Sequence, residues 1–458
     1  MSSNNKTIWI KNPLALMTDD GIDSQGGLVI QGKKIVELVS AGNSPICKTD
    51  ETYDASGHVI IPGLVNTHHH FYQTLTRAHP EAINKELFDW LKTLYPVWAN
   101  VVNRDSFRLA TRLALTELLM SGCTTVSDHH YLYPTGIEDA MDIQADEATR
   151  IGMRMTLNRG SMDLSTKDGG LPPDSVVQDK DDILIDCERV IGAFHDPDEG
   201  AMLQVALAPC SPFSVTTALM RETAELAKKC NCRLHTHLGE THDEDNYCIE
   251  KFSCRPVEYL EENGWLNQRT WLAHGIHFDD AEIARLGRHG VGICHCPTSN
   301  MVLASGQCRT LELEKAGASV GLGVDGSASN DNSNLMEGVR HALMINRLTY
   351  GAAAVTHKDV LRWATQGSAK CLGRDDIGRI AIGYQADLAM YRLDELRFSG
   401  SGDPLAALVL CGAHRADRVM IAGQWRLIDG NPLAIDVSRL RAEHGKAAGE
   451  FFEIISSL

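Results

Sequence analysis

Ile61-Pro62-Gly63-Leu64-Val65-Asn66-Thr67-His68-His69-His70 begins as an apolar run and ends in three histidines. A short continuous apolar run bounded by turn residues reads as a strand buried on both faces. Comparable runs lie near residues 124–129, 154–158, 203–209, 233–238, 270–274, 291–295 and 320–325. Helical patterns separate most of them, including Phe107 to Leu119, Ala218 to Lys229, Ala281 to His289 and Leu335 to Leu348. Eight such units predict an α/β fold of the TIM type, a (β/α)8 barrel of about 250 residues plus insertions. An open doubly wound sheet is the alternative. The chain ends differ from this middle. Ile8 to Ile10, Gly27 to Gln31, Lys34 to Val39, Ala386 to Tyr391, Arg418 to Ala422 and Gln424 to Ile428 read as short strands broken by turns.

The chain has 458 residues and a net charge of −17. An acidic balance argues against nucleic acid or an anionic membrane as partner, because both need a basic surface. It leaves room for a small-molecule substrate. The sequence contains no apolar run of about 18 residues, the length a membrane-spanning helix needs. Residues 1–21 lack the basic start and long apolar stretch of a secretory signal. The 13 cysteines have no framework spacing, and Cys230/Cys232 and Cys294/Cys296 are the closest pairs. Reduced thiols and a cytoplasmic location are expected.

Histidine carries the chemistry, with 19 in the chain and several at the predicted strand ends. The C-terminal strand ends form the active face of a barrel. Side chains alternate along a strand, so His68 and His70 point one way and His69 the other. Leu234-His235-Thr236-His237-Leu238-Gly239-Glu240 offers His237 near a strand end, with His235 deeper on the same face as a hydrogen-bonded core histidine. Ala273-His274-Gly275 closes the sixth strand, and Gly323-Val324-Asp325-Gly326 closes the eighth. A buried aspartate needs a partner, and a metal is one. Histidines with a carboxylate suit one divalent ion, Zn2+ first, with Fe2+ or Mn2+ as alternatives. The bland alternative makes them all hydrogen-bonded structural groups. A metal there lowers the pKa of bound water. His274 is then placed to take or orient the water proton, and Glu240 to protonate a ring nitrogen. Such a set suits hydrolysis of a C–N bond.

Other motifs are weaker. Gly321 to Gly326 matches the dinucleotide fingerprint, but it falls late and runs into a polar loop instead of a helix. The phosphate-loop, H-E-x-x-H and cytidine-deaminase patterns are absent from the sequence. A catalytically silent metal-binding or assembly protein is the reading from another class.

Taken together, Pro62 to His70, His237 to Glu240, His274-Gly275 and Val324 to Ser327 resemble the amidohydrolase superfamily. Ile377 to Leu388 looks like that family's return strand. The resemblance implies a barrel over 61–377 and a β-sandwich from 1–60 and 378–458. It implies His68, His70, His237 and Asp325 as metal ligands, Glu240 and His274 as the catalytic pair, and Asp325 as a proton relay to the leaving group. The fourth strand, Val205 to Cys210, has no lysine, unlike binuclear members. That implies one metal, as in the branch that deaminates purines, pterins and triazines. The stretches His68 to Arg77, Trp90 to Trp98, Ser127 to Leu132, Ala208 to Ser214 and Gly326 to Asp331 narrow the match to oxopurine-deaminating members. They imply conversion of 8-oxoguanine to urate and ammonia, with guanine, isoxanthopterin and triazine amino- or chlorohydrolysis as alternatives. Gln73, Tyr133, Arg159, Trp98 and Cys210 are then candidate substrate contacts. Trp90, Tyr95 and Trp98 are placed either as a lid or as the packing face of a helix. Many relatives are dimers or larger, so a homo-oligomer is also an expectation.

Overall fold

The structure is a computed structural model that describes residues 6–19 and 22–455. The start of the stretch read against a secretory signal, residues 1–5, lies outside the described residues, as do 20–21. Eight parallel strands follow one another in sequence order around a single sheet. They are β1 (Leu64–Asn66), β2 (Cys123–His130), β3 (Arg154–Ser161), β4 (Leu203–Pro209), β5 (Arg233–Leu238), β6 (Thr270–His274), β7 (Gly292–His295) and β8 (Ser319–Leu322). The Thr67 N–H bonds the Leu322 carbonyl at 3.1 Å and so joins the first strand to the last. The ordering is that of a (β/α)8 barrel, not an open doubly wound sheet.

The sequence reason is visible in the strands. Leu157, Val205, Leu207, Leu234, Leu272, Ile293 and Leu322 are all buried. Full burial of each such side chain contributes about 1.5–3 kcal/mol. The helices between strands present one apolar face each. Arg104–Ser121 begins with a capping box at Asn103 and ends at Gly122, whose φ is +102°. A side chain at Gly122 would strike the Tyr391 hydroxyl, which bonds the Ser121 carbonyl at 2.7 Å.

Two further sheets come from the chain ends. One has four strands, with Thr7–Lys11 between Gly27–Gln31 and Glu51–Asp54, and Lys34–Val39 at its edge. The other has six, with Leu388–Arg392 between His58–Pro62 and Arg418–Ile421. Ile10, Leu28, Ile30, Ile60, Leu388 and Met420 share one buried cluster of these sheets. The buried pair Arg154 and Asp387, 2.6 Å apart, ties β3 to this layer. The segment 378–458 does not all lie there. Its last helix, Val437–Ile455, packs on Arg104–Ser121, and His444 reaches Thr74 at 3.2 Å. Among the described residues no helix is long and apolar enough to cross a membrane. All thirteen cysteines are free thiols.

Candidate metal centre and active site

The exits of β1 and β8 are sewn together by one amide. Asn66 Oδ1 accepts from the Val324 N–H at 2.9 Å, and its Nδ2 donates to the His68 carbonyl at 3.1 Å. That carbonyl also accepts from the Asp325 N–H at 3.1 Å. Asp325 and His274 both adopt left-handed backbone, with φ of +67° and +72°. A non-glycine residue there costs about 1–2 kcal/mol, a strain that concentrates at functional sites. Each departs from its strand line just where its side chain joins the cluster.

Hydrogen bonds fix which nitrogen of each imidazole faces inward. Burial pushes His68, His237 and His274 below the ordinary histidine range, His237 to about 3, so these rings are neutral. His70 Nδ1 donates to the His129 carbonyl at 2.8 Å, and His237 Nδ1 to the Cys210 carbonyl at 2.7 Å. A carbonyl only accepts, so Nδ1 holds the proton in both. For His68 the same logic runs through a relay. His235 Nδ1 donates to the Trp271 carbonyl at 2.9 Å, which leaves His235 Nε2 to accept from His68 Nδ1 at 2.8 Å. His68 Nε2 is buried with no hydrogen-bond partner.

The inward Nε2 atoms of His68 and His237 therefore carry lone pairs. His70 Nε2 stands 3.2 Å from His237 Nε2, and His68 and His70 Nε2 are each 3.3 Å from Asp325 Oδ1. Lone pairs aimed at one another beside a carboxylate repel unless a cation sits among them. Three imidazole nitrogens and one carboxylate oxygen fit a single divalent ion of the zinc type. His129 and His235 also lie within ligand reach of His68. They are already used: His235 bonds through both nitrogens, and His129 Nε2 donates to the Ala208 carbonyl at 2.8 Å.

Beside this cluster lies an acid and base pair. His274 Nε2 is 3.4 Å from Glu240 Oε2 and 4.0 Å from Asp325 Oδ2. His274 Nδ1 faces Asn300 Oδ1 at 3.0 Å and so carries the proton there. Burial, and then the nearby Asp325 charge, raises the Glu240 carboxyl well above its ordinary range. Glu240 is thus a proton donor near neutral pH, while His274 offers a lone pair. Glu244 accepts from the Gly239 N–H at 2.9 Å and holds the loop that carries Glu240.

The cavity over the cluster is narrow, about 30 Å3. Trp90, Tyr95 and Leu91 of helix Leu87–Val101 form one wall, and Tyr131, Phe213 and Leu303 face it. Gln73 and Cys210 line the cavity. Gln73 fits because residue 326 is glycine: a Cβ there would lie 1.9 Å from Gln73 Oε1.

The structure does not bring Tyr133, Arg159 or Trp98 to that cavity. The Arg159 guanidinium is consumed by Asp186 at 2.6 Å, Gln178 at 3.1 Å and the Gly160 carbonyl. Tyr133 lies beneath it, 4.2 Å from ring to guanidinium carbon. A long cationic side chain at a strand end finds a nearby carboxylate, and nothing in the local sequence distinguishes that from reaching a ligand. Trp98 stands one layer behind Trp90, and its Nε1 donates to Thr76 Oγ1 at 3.0 Å. The helix period puts positions 90 and 98 on neighbouring faces, and only the first is turned to the cavity. Three residues escaped the sequence reading: Tyr131, whose ring is 5.1 Å from that of His70, Asn300, and Ser329, which reaches Asp325 Oδ2 at 3.4 Å. Tyr131 follows β2 directly, so its place at a strand exit was available as a signal.

The amidohydrolase family model matches residues 59–426, and the chain belongs to that family. The 8-oxoguanine deaminase of Pseudomonas aeruginosa is 58% identical over 440 residues, covering 96% of this chain and 98% of that one. An isoxanthopterin deaminase from an unknown prokaryotic organism is 34% identical over 87% of this chain and 86% of its own. Among solved structures, atrazine chlorohydrolase from Arthrobacter aurescens TC1 complexed with zinc superimposes with a TM-score of 0.90 at 30% identity, over 96% and 99% of the two chains.

Proposed function

We propose that this chain hydrolyses 8-oxoguanine at C2 to urate and ammonia, with one zinc ion held by His68, His70, His237 and Asp325. The observation that carries the substrate is the 58% identity over nearly the whole length of the Pseudomonas aeruginosa 8-oxoguanine deaminase. The cavity agrees in kind: aromatic and aliphatic walls over a polar floor of histidines and carboxylates suit a flat heteroaromatic ring. The cytoplasm is the proposed location, and self-association into a homo-oligomer the proposed assembly.

Held by these four residues, a divalent ion would supply a water of lowered pKa for the attack. The protein's own groups move the protons. Glu240, protonated by its burial, donates to N3 of the purine and makes C2 electrophilic. His274 Nε2 accepts a water proton, held in position by Asn300 behind it. Asp325, held ionised, takes the proton left on the added oxygen and passes it to the departing amine, which leaves as ammonia, and His274 Nε2 returns its proton to Glu240 Oε2, 3.4 Å away. Water enters, ammonia leaves, and the urate ring keeps the oxygen. Gln73 has a side chain able to donate to one ring carbonyl and accept from a ring N–H.

Steady-state kcat/KM on 8-oxoguanine, guanine and isoxanthopterin tests the substrate. The expected order places 8-oxoguanine first. Equal turnover of guanine means that the pocket does not read the C8 oxygen and overturns the assignment.

A further inference from the structure

We propose that the barrel has a second binding site at its opposite mouth, for a small anion recognised by its phosphate group. A cavity of about 560 Å3 opens there. Its wall takes Gln204 from β4, Arg233 and Ser319 as the first residues of β5 and β8, Arg269 from just before β6, and Lys370 from the short helix Ser368–Cys371. These are N-terminal strand ends, so the cavity lies at the far end of the barrel from the histidine cluster.

Charge is the reason for the assignment. Three cations and one acid, Asp375, line this cavity in a chain of net charge −17. Most arginines of the protein sit against carboxylates. Among the described residues, none lies within ion-pair distance of Arg233, Arg269 or Lys370. Arg233 Nε is buried with no hydrogen-bond partner, and its Nη2 donates only to the Gln268 carbonyl at 3.0 Å. Burial without a counter-ion lowers its guanidinium pKa to about 10, and the neighbouring Arg269 adds to the effect. Leu234 pairs with Thr270, so the two arginines that precede them stand side by side. Arg269 donates to Asn231 Oδ1 at 2.7 Å and Arg233 lies 6.0 Å over the Trp271 ring, but neither meets a carboxylate; adjacent guanidiniums without a counter-ion repel, and an anion between them relieves both costs.

The shape agrees. A Cβ at Gly373 would lie 2.4 Å from Arg233 Nη1, so glycine leaves the space the guanidinium occupies. Two planar forks and an ammonium match the oxygens of a phosphate, which takes bidentate guanidinium bonds. The volume exceeds orthophosphate and leaves room for the organic part of a phosphate ester.

Isothermal titration of the metal-loaded enzyme with inorganic phosphate, and separately with ribose 5-phosphate, tests this at constant ionic strength in chloride. One saturable event per chain is expected, weakened at least about tenfold in Arg233→Met and in Lys370→Gln, the loss of one charged hydrogen bond. Tighter binding of the ester identifies a phosphorylated metabolite, and equal binding identifies free phosphate. Lys370 is exposed, so its variant keeps the fold and the test stands if the Arg233 variant does not fold. Heats that do not saturate with either probe, or Lys370→Gln binding as tightly as the parent, overturn the proposal.

Discussion

His235 stands directly behind His68, with Nε2 2.8 Å from His68 Nδ1, and its own Nδ1 anchored on the Trp271 carbonyl. The pair decides which face of His68 carries a lone pair. A histidine two residues before a ligand therefore acts on the metal without touching it. Its ring stacks on Trp271 with centroids 4.3 Å apart, which fixes the plane as well as the tautomer.

Replacing His235 by Phe keeps the stack and removes the acceptor. Zinc affinity should fall by about 10–100-fold, the usual effect of losing such an outer partner. Competition with a chromophoric chelator measures it. Unchanged affinity would mean that the relay does not set the His68 tautomer.

Glu240→Gln separates chemistry from metal binding. The amide cannot give up a proton, so kcat should fall by about 10²–10⁴-fold, the usual scale for a general acid. Metal content, read by atomic emission, should stay at the parental level. A variant with near-parental kcat contradicts the proton assignment.

The pH profile follows from two opposite shifts. Glu240 is raised by burial, so the acid form is lost only as pH rises through that elevated value, giving an alkaline limb. His274 is lowered by burial, so its lone pair is lost only below the ordinary histidine range, giving an acid limb. The acid limb from His274 should therefore lie below the ordinary histidine range and the alkaline limb from Glu240 above the ordinary carboxyl range. A limb centred near ordinary histidine titration would contradict the reading of His274.

Sequence carried the architecture and the charged centre further than the pocket wall. A strand end is visible locally, because an apolar run stops there, and His68, His237, His274 and Asp325 all lie at such stops. The contacts around the ring were less legible. Tyr133 also follows a strand and Arg159 lies near the end of one, but the Arg159 partners Asp186 and Gln178 lie on a separate segment that no local pattern links to it. Asn300 was hidden for the same reason: its role exists only through His274, which lies on another strand. The placement of helix Val437–Ile455 depends on tertiary packing against Arg104–Ser121, which composition does not record.

That division can be tested by kinetics. Gln73→Ala should raise KM for the base, because its amide lines the cavity. Arg159→Met should leave KM near the parental value and lower the melting temperature, since breaking a buried pair costs about 3–5 kcal/mol. A large KM effect from Arg159→Met alone would return that residue to the substrate site.

Glu244 predicts a stability signature. Burial raises its carboxyl from 4.5 to about 8, although the Gly239 and Glu240 N–H groups pull the other way. Between those values the unfolded chain has lost a proton that the native chain keeps, so this group's contribution to stability falls as pH rises. Gln cannot ionise and still accepts from the backbone. Glu244→Gln should gain stability relative to the parent from pH 4.5 toward about 8, then hold level. Urea midpoints at both ends of the window measure it, and a difference that does not vary with pH contradicts the shift.

The most direct measurement follows ammonia and urate together when 8-oxoguanine is added to metal-stripped protein, before and after zinc is restored. The account predicts no product from the stripped protein, and one ammonia per urate once zinc is present. Zinc bound by the histidine cluster with 8-oxoguanine left intact, or product formed equally without metal, would contradict it.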